Sequence, residues 1–267
     1  MNLSNKSLFI FEEETIMAIS QLELTAMTKS NNLTEKFGIC KYISEENNSR
    51  LKSIMYPKKF TADSYIFWDG DQTEYLYYVL SGRVKLIKST EEGKDMMMSI
   101  LQKGDLIMEM DGFQVSNHNF SAVVIEDAEI GVIQKKDLEI LLQRHGDFAL
   151  EFMSWMGLMH RITQSKFRDL LMYGKPGALS STLIRMCNSF GVACEDGIRL
   201  DIKLTNTELA EIIGATRESV NRMLSELKSE GTITVKNGQI IVQRLSHLKE
   251  KCNCPTFPVC PIEICRM

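Results

Sequence analysis

The chain has 267 residues, 44% of them apolar, so it can bury two cores. Its net charge of −4 excludes indiscriminate nucleic-acid binding, but it does not exclude a local DNA-binding surface. No apolar run approaches the roughly 18 to 20 residues that a membrane helix requires. The N-terminus lacks the basic-then-apolar order of a secretory signal, because Glu12, Glu13 and Glu14 follow its short apolar patch, and we therefore expect a cytoplasmic protein without membrane contacts.

The first 145 residues predict a tail followed by a β domain. Residues 1–36 are polar and weakly periodic, which predicts disorder. Residues 37–145 contain short runs in which apolar and polar residues alternate, with turn signals at Ser81-Gly82 and Gly104-Asp105. Many short strands at a spacing of about ten residues indicate a β sandwich of the jelly-roll kind. Strands are predicted at 75–80, 83–88, 96–101, 121–126 and 129–133.

A long helix is predicted over residues 146–173. Apolar residues recur there at alternating steps of four and three, the spacing of a coiled-coil seam, at Phe148, Phe152, Trp155, Met159 and Ile162. Such a stripe can pack on the chain's own β domain or pair two copies of the chain. We favour a homodimer, because the stripe is aromatic and the segment is long.

Residues 174–248 predict a winged helix-turn-helix domain. One helix is expected from a threonine or asparagine cap to Gly214, and a second helix follows directly from residue 215. Further along, Asn237-Gly238 separates two alternating runs, which is the strongest short-range signal for a β hairpin.

The second helix of this pair carries the residues that we expect to read DNA. Such a helix enters the major groove by its N-terminus. Arginine can bind guanine O6 and N7 there, and glutamate can accept from cytosine N4. Val220, Met223 and Leu224 are expected to face the domain core. A solvated helix surface is the alternative, but adjacent Arg and Glu cannot form an i,i+4 pair. The predicted DNA contacts are Arg217, Glu218, Ser219, Asn221 and Arg222.

Residues 249–267 hold four of the seven cysteines, at Cys252, Cys254, Cys260 and Cys265. A short tail is expected to bury little, so packing does not explain this density. Neighbouring thiolates suit an iron–sulfur cluster or a zinc ion. A disulfide interpretation needs an oxidising compartment, which nothing in the sequence indicates. A thiol-based redox enzyme is disfavoured, because the chain has no C-x-x-C pair in a thioredoxin-like context.

The order of sandwich, long helix and winged helix resembles the Crp/Fnr family of bacterial transcription regulators. Residues 78–84, 104–105 and 216–222 are similar to the family consensus. The resemblance implies an α+β fold, with a cyclic-nucleotide-binding-like β jelly roll, a dimerisation helix and a C-terminal winged helix-turn-helix. It also implies a transcription activator, not an enzyme, that binds palindromic double-stranded DNA with TGTGA-type half-sites and contacts RNA polymerase.

The family's cyclic-nucleotide pocket is expected to be degenerate here. Members that bind cyclic nucleotides resemble Gly-Glu-Leu followed by Arg-Ser/Thr-Ala, in which the arginine neutralises the phosphate. This chain has Met108 in place of the glycine and Phe120 in place of the arginine. A phenyl ring cannot pair with a buried phosphate. We therefore expect no cyclic AMP binding, and a pocket kept for packing.

The cysteine tail resembles that of Bacillus-type Fnr proteins, which carry three C-terminal cysteines and an aspartate as fourth ligand. Cys260 and Cys265 fit the C-x4-C step of that pattern. The pattern has two residues between its first two cysteines, but five residues lie between Cys254 and Cys260, and Cys252 is an additional cysteine. The aspartate corresponds to Asp169, at the end of the long helix, where a carboxylate is unfavourable for the helix dipole. The resemblance implies a [4Fe–4S] cluster on Cys254, Cys260, Cys265 and Asp169, with Cys252 as an alternate ligand.

Two hypotheses about function follow. If the tail binds a cluster beside Asp169, the cluster ties the dimer helix to the DNA-binding domain, and its destruction by oxygen lowers DNA affinity. This predicts an oxygen-sensing regulator of anaerobic metabolism. The alternative is a relative such as an arginine-catabolism regulator without an iron–sulfur cluster. Its tail would bind zinc or stay idle. For Asp169 itself, the alternative to a ligand is a solvated side chain or one paired with Lys166.

Overall fold

The computed structural model describes residues 37–109, 116–255 and 257–267. The predicted disordered tail at 1–36 lies outside these residues. Within them the chain forms a β domain, a long helix, a helix-rich domain with its own small sheet, and a cysteine-containing segment. No helix in these ranges has the length and apolar character needed to cross a bilayer.

Six antiparallel strands form the β domain, as the alternating pattern predicted. β6 lies between β1 and β3, β4 pairs with β3, and the short β2 and β5 pair with β6 and β3. Helix α1 (Glu45–Ser53) precedes the strands and α2 (Lys135–Arg144) follows them. The strands are β1 (Met55–Phe60), β2 (Tyr65–Phe67), β3 (Tyr75–Ser89), β4 (Asp95–Gln102), β5 (Leu106–Ile107) and β6 (Ser121–Gln134).

β3 and β6 are each one long strand, where the sequence predicted two strands separated by a turn. The Ser81-Gly82 dipeptide does not reverse the chain; the pairing register between β3 and β6 shifts around it instead. Gly82 has a φ of 82°, and a Cβ at this position would lie 2.6 Å from the Asp127 carbonyl oxygen. The glycine therefore permits a bulge that bends the sheet. Composition alone does not distinguish such a bulge from a turn.

The long helix α3 (Gly146–Met172) buries the stripe that the sequence assigned to a dimer seam. Phe148, Phe152 and Trp155 are at most 2% exposed and pack against α1, α2 and the β domain of the same chain. The predicted seam is therefore wrong. Its aromatic rings fill the space between the helix and the sandwich, which is the alternative that the same spacing allowed.

A second stripe on α3 is exposed. Leu150, Met153, Phe167 and Leu171 are between 63% and 67% exposed, and the positions between them at 157, 160 and 164 are exposed as well. Together these seven positions follow the alternating steps of three and four that coiled coils use. The stripe is apolar at its two ends and has Gly157, His160 and Gln164 in the middle, and it remains available for pairing with a second copy.

The helix-turn-helix has the predicted boundaries to within two residues. Helix α4 (Gly174–Phe190) precedes it and is buried along most of its length. Helix α5 (Asn206–Ile213) begins at a Thr205 capping box and ends at Gly214, whose φ is 60°. Helix α6 (Arg217–Ser229) begins after the Thr216 cap. The local capping signals predicted these ends because each acts within one helical turn.

The predicted hairpin forms the wing. β9 (Ile233–Lys236) pairs with β10 (Gln239–Val242), and Asn237 and Gly238 connect them with positive φ values of 53° and 78°. Two strands that the sequence did not predict, β7 (Gly191–Cys194) and β8 (Gly197–Leu200), extend this sheet. Helix α7 (Leu245–Lys251) follows the wing and packs against α4.

Candidate functional site

Helix α6 presents most of the predicted DNA contacts on an exposed surface. The Thr216 side chain accepts a hydrogen bond from the Ser219 amide at 3.2 Å and so fixes the start of the helix. The three residues predicted to face the core, Val220, Met223 and Leu224, are buried. Four of the five predicted contacts are exposed: Arg217, Glu218, Asn221 and Arg222.

Two of the five predicted contacts also bond within the domain. Ser219 is half-buried, and its Oγ lies 3.1 Å from Thr216 Oγ1. Asn221 accepts a hydrogen bond from the Asn206 side chain at the start of α5. These two side chains help to fix the helices. Arg217, Glu218 and Arg222 have no hydrogen-bond or ion-pair partner among the described residues, so their polar groups are available for a ligand.

The position of the family's phosphate-binding arginine holds an aromatic ring. Phe120 is 9% exposed, and its ring centroid lies 5.9 Å from that of Phe67 in the domain core. Glu109, which follows the expected glycine position, accepts hydrogen bonds from the Asn119 amide at 3.0 Å and lies 2.8 Å from His118 Nδ1. Its carboxylate is thus bound by its own loop. The expectation that cyclic AMP does not bind stays a prediction.

A cavity of about 550 Å³ lies between the β domain, α3, α4 and the C-terminal segment. Its lining is mainly apolar, with several methionines, and it reaches Phe120. The sequence predicted a degenerate cyclic-nucleotide pocket kept for packing, and that stays a prediction. Lys166 also lines the cavity and donates to Ser99 Oγ at 3.1 Å. Burial, with the nearby Arg185 and Arg266, lowers the pKa of Lys166 to about 7.

Asp169 is buried where α3 meets α4 and the C-terminal segment. One carboxylate oxygen accepts from Ser181 Oγ at 2.5 Å and from Arg185 at 2.6 Å, and the other accepts from Arg168 at 2.8 Å. Although burial opposes ionisation, these hydrogen bonds hold the pKa of Asp169 below its usual value. The alternative of a solvated Asp169 paired with Lys166 is therefore wrong.

Arg185 connects Asp169 to residues 264–267, which we call the anchor segment. One guanidinium nitrogen of Arg185 donates to the Ile264 carbonyl at 2.9 Å, and another donates to Asp169 and, at 2.8 Å, to Ser165 Oγ. Arg185 is itself 3% exposed. A single buried guanidinium thus joins the end of α3 to the chain next to Cys265. Sequence reasoning missed this residue, because a lone arginine in a helix gives no signal of burial.

The anchor segment also reaches the β domain. Arg266 donates to Asp105 Oδ1 at 2.8 Å, and both side chains are about 5% exposed. The Met267 amide donates to Ser189 Oγ of α4 at 3.0 Å. The expectation that this tail buries little is wrong for these residues, because Ile264, Arg266 and Met267 are all buried.

Cys252 and Cys254 lie at the end of α7 with their sulfur atoms 3.4 Å apart. Cys252 is buried and Cys254 is half-buried. The hydrogen bond from Cys252 lowers the pKa of Cys254 to about 7, against the effect of burial, and it raises the pKa of Cys252. Cys254 is therefore the thiol of this pair that ionises more readily.

The other two tail cysteines are Cys260 and Cys265, and both are half-buried. Burial raises the pKa of Cys265 to about 11, with further electrostatic effects from Arg185, Cys260, Cys254 and Asp169. Of the predicted ligands, Cys254 and Cys265 pack against the same hydrophobic cluster, which Leu170 and Tyr173 at the end of α3 also reach. Within the described ranges, however, no three Cys, His, Asp or Glu side chains have a metal-binding arrangement. Three thiols and a carboxylate fit an iron–sulfur cluster by donor type. Asp169 would first have to release one of its hydrogen-bond donors.

Comparison with known proteins identifies the chain's relatives. A cyclic nucleotide-binding domain matches residues 57–145, and a Crp-like helix-turn-helix domain matches residues 178–251. Over 227 residues the chain is 42% identical to the anaerobic regulatory protein of Bacillus subtilis (strain 168). The aligned region covers 84% of this chain and 94% of that protein. The chain belongs to the Crp/Fnr family of transcription regulators. Crp/Fnr proteins with this helix-turn-helix bind DNA and act as dimers, and they are not enzymes.

Other Crp/Fnr proteins match over a similar length. The global nitrogen regulator of Synechocystis is 32% identical over 200 residues, or 72% of this chain and 88% of that protein. The structure of FixK2 from Bradyrhizobium japonicum superposes with a TM-score of 0.65 at 19% identity. The superposed region covers 74% of this chain and 96% of the FixK2 chain. This likeness supports the fold alone. The expected Crp/Fnr architecture, with jelly roll, long helix and winged helix, is thereby confirmed.

Proposed function

We propose that this Crp/Fnr protein is an activator of anaerobic metabolism that senses oxygen through a [4Fe–4S] cluster on its C-terminal cysteines. The observation that carries the proposal is the position of the cysteine segment. It packs between α3 and the helix-turn-helix domain and leads into the anchor segment, which reaches the β domain through Asp105. The name of the Bacillus subtilis relative, an anaerobic regulatory protein, supports the same physiology.

The proposed ligands are Cys254, Cys260, Cys265 and Asp169. A cluster held by them would supply an oxygen-labile iron centre. Asp169 has a second task, because it accepts hydrogen bonds from Ser181, Arg185 and Arg168. Binding a metal through one oxygen would remove a hydrogen bond to Arg185 or Arg168. The carboxylate therefore links the state of the tail to the contact between α3 and α4.

The chain's own contacts explain how such a change could reach the DNA. Arg185 holds Asp169 and the Ile264 carbonyl together, and Lys85 of the β domain pairs with Glu208 of α5 at 3.0 Å. A shift in the tail would thus change the contacts of α4, whereas the Lys85–Glu208 pair joins α5 directly to the β domain. Only such differential contacts can move the equilibrium between DNA-competent and incompetent orientations.

Anaerobic purification, with a visible spectrum and iron and sulfide assays, tests the cofactor. We expect cluster absorbance in the wild type, its loss when Cys254, Cys260, Cys265 or Asp169 is changed to Ala, and its retention in Cys252→Ala. An Asp169→Ala protein with a full cluster, together with loss in Cys252→Ala, would establish all-cysteine ligation. Zinc instead of iron under strict anaerobiosis would contradict oxygen sensing and favour the zinc-binding alternative.

The DNA target is proposed to be a palindrome with TGTGA-type half-sites, bound next to RNA polymerase. The exposed Arg217, Glu218 and Arg222 support this, because their polar groups have no partner among the described residues. A mobility-shift titration with the palindrome, performed on protein with and without the cluster, would measure how DNA affinity depends on the cluster. We expect higher affinity with the cluster; equal affinity in both states would contradict cluster-controlled binding.

A further inference from the structure

The thiols of Cys252 and Cys254 are in direct contact, with 3.4 Å between the sulfur atoms. We infer that this pair is a modification site, which hydrogen peroxide converts to a disulfide in the metal-free protein. Cys254 is also a proposed cluster ligand, so the disulfide and the cluster would compete for the same sulfur. That competition rests on the proposed function, whereas formation of the disulfide does not.

The contact follows from the way that α7 ends. Asn253 adopts the left-handed conformation, with a φ of 47°, and its amide donates to the Glu250 carbonyl at 3.1 Å. The Cys254 amide donates to the Lys249 carbonyl at 2.9 Å. These two bonds form the motif in which a left-handed residue terminates a helix. The turn brings the side chains on either side of Asn253 together, so the backbone fixes the proximity of the sulfurs.

The exposure of the two thiols sets the order of events. Cys254 is half-buried and Cys252 is 3% exposed, so an oxidant reaches Cys254 first. The Cys254 thiolate attacks one peroxide oxygen and breaks the O–O bond. Hydroxide leaves and takes up the proton released by Cys254, which gives water and a Cys254 sulfenic acid.

The Cys252 sulfur then completes the reaction. It attacks the sulfenic sulfur and forms the S–S bond, while hydroxide leaves and takes up the proton released by Cys252. In total the two thiols lose two electrons and two protons, and hydrogen peroxide becomes two molecules of water. Cys252, which is extra to the ligand pattern of Bacillus-type tails, thereby acquires a specific role as the resolving thiol.

The remaining tail cysteines have other neighbours. The Asn188 side chain of α4 donates to the Cys265 carbonyl at 2.7 Å, and Cys265 packs against the hydrophobic cluster that contains the buried Cys187. Cys187 and Cys265 are therefore the competing pair that an experiment must distinguish from Cys252 and Cys254.

Peptide mapping of the full-length, metal-free protein tests the disulfide. After treatment with hydrogen peroxide the protein is denatured, alkylated with N-ethylmaleimide and digested with trypsin. Cleavage after Lys251 and Arg266 leaves all four tail cysteines in one peptide. Two matched double variants are therefore compared: Cys260→Ser with Cys265→Ser, and Cys252→Ser with Cys254→Ser.

In the variant that keeps Cys252 and Cys254, we expect the peptide to lose two hydrogens and to carry neither maleimide adduct. Dithiothreitol should restore the two hydrogens and both adducts. The second variant should keep both adducts. Retention of both adducts in the first variant, or a wild-type disulfide that joins Cys187 to Cys265 in place of Cys252 to Cys254, would overturn the inference.

Single variants test the order of oxidation. In Cys252→Ser, the sulfenic-acid reagent dimedone should label Cys254, because no resolving thiol remains. In Cys254→Ser, Cys252 should stay unlabelled, because it is buried. Labelling of Cys252 alone would overturn the assigned roles.

Reconstitution with iron and sulfide under anaerobic conditions tests the competition. Peroxide-treated wild type should lose the ability to form cluster absorbance and regain it after dithiothreitol. Full cluster formation by protein that carries the disulfide would overturn the competition. Failure of never-oxidised protein to form any cluster would contradict the proposed function instead, and would leave the peptide-mapping result intact.

Discussion

Lys166 lies in the cavity near two arginines, and this position couples its charge to stability. Burial and the neighbouring Arg185 and Arg266 lower its pKa to about 7, while Asp105 acts in the opposite direction. Below pH 7 the folded protein must therefore carry an ammonium group at this half-buried position. Between pH 7 and the ordinary lysine pKa the unfolded chain binds a proton that the folded chain does not, so stability rises with pH in this window.

Lys166→Met removes this ionisation and should stabilise the protein most below pH 7. The advantage over wild type should shrink by about 1.4 kcal/mol per pH unit between pH 7 and pH 10. Urea unfolding of both proteins across this range measures the difference. The exposed Lys103→Met serves as control, and a Lys166→Met advantage that does not change with pH would contradict the assignment.

Arg222 is exposed on α6 without a partner among the described residues, as expected of a base-reading side chain. Arg222→Ala should weaken binding to the TGTGA-type palindrome by roughly 1 to 3 kcal/mol per half-site, because a bidentate contact to guanine is lost. A mobility-shift titration measures this loss. Lys228→Ala, near the other end of the same helix, should have a much smaller effect, and equal losses for the two variants would indicate that Arg222 acts only through its charge.

At the level of helices and strands, the exposed stripe on α3 determines how two copies can pair. Leu150→Glu or Met153→Glu should convert the dimer to monomers, because each places a charge on the apolar surface. Light scattering distinguishes the two states. The conservative Leu150→Met should stay dimeric, and a dimer in both charged variants would place the interface elsewhere.

The two stripes of α3 also show what the sequence could predict. The periodicity correctly indicated a long helix with an apolar stripe, but α3 has a second, partly apolar stripe, and spacing does not tell which of the two the chain's own β domain covers. The stripe with Phe148, Phe152 and Trp155 is the one that fills the core. By contrast, the Thr205 capping box and the Asn237-Gly238 turn were predictable, because their signals depend only on residues close in sequence.

Across the whole molecule, the anchor segment connects parts that lie far apart in sequence. Arg266 and Asp105 are 161 residues apart and form a buried ion pair. No local pattern identifies such a contact, so sequence reasoning placed the cysteines in a tail but did not predict that the tail is anchored. The candidate ligands were predictable by residue type, whereas the Arg185 and Arg266 contacts that hold them required the structure.

Arg266→Ala should cost roughly 3 to 5 kcal/mol in the unfolding of the wild type, because it leaves Asp105 buried without its cation. Chemical denaturation measures the loss, and faster proteolysis of residues 249–267 should accompany it. The double variant with Asp105→Ala should lose less than the sum of the two single variants. A change below about 0.5 kcal/mol in Arg266→Ala would show that the ion pair does not hold the segment.

The separation of Asp105 and Arg266 also has a consequence for the order of folding. Loop-closure entropy grows with the number of residues in the loop, so the hairpins of the β domain and the short helix-turn-helix contacts should form before this pair. The anchor segment would then dock last, onto domains that are already folded. Until it docks, the four tail thiols are open to solvent. During that interval the tail can react either with iron and sulfide or with an oxidant. The faster reaction would then determine whether the folded protein carries the cluster or the disulfide.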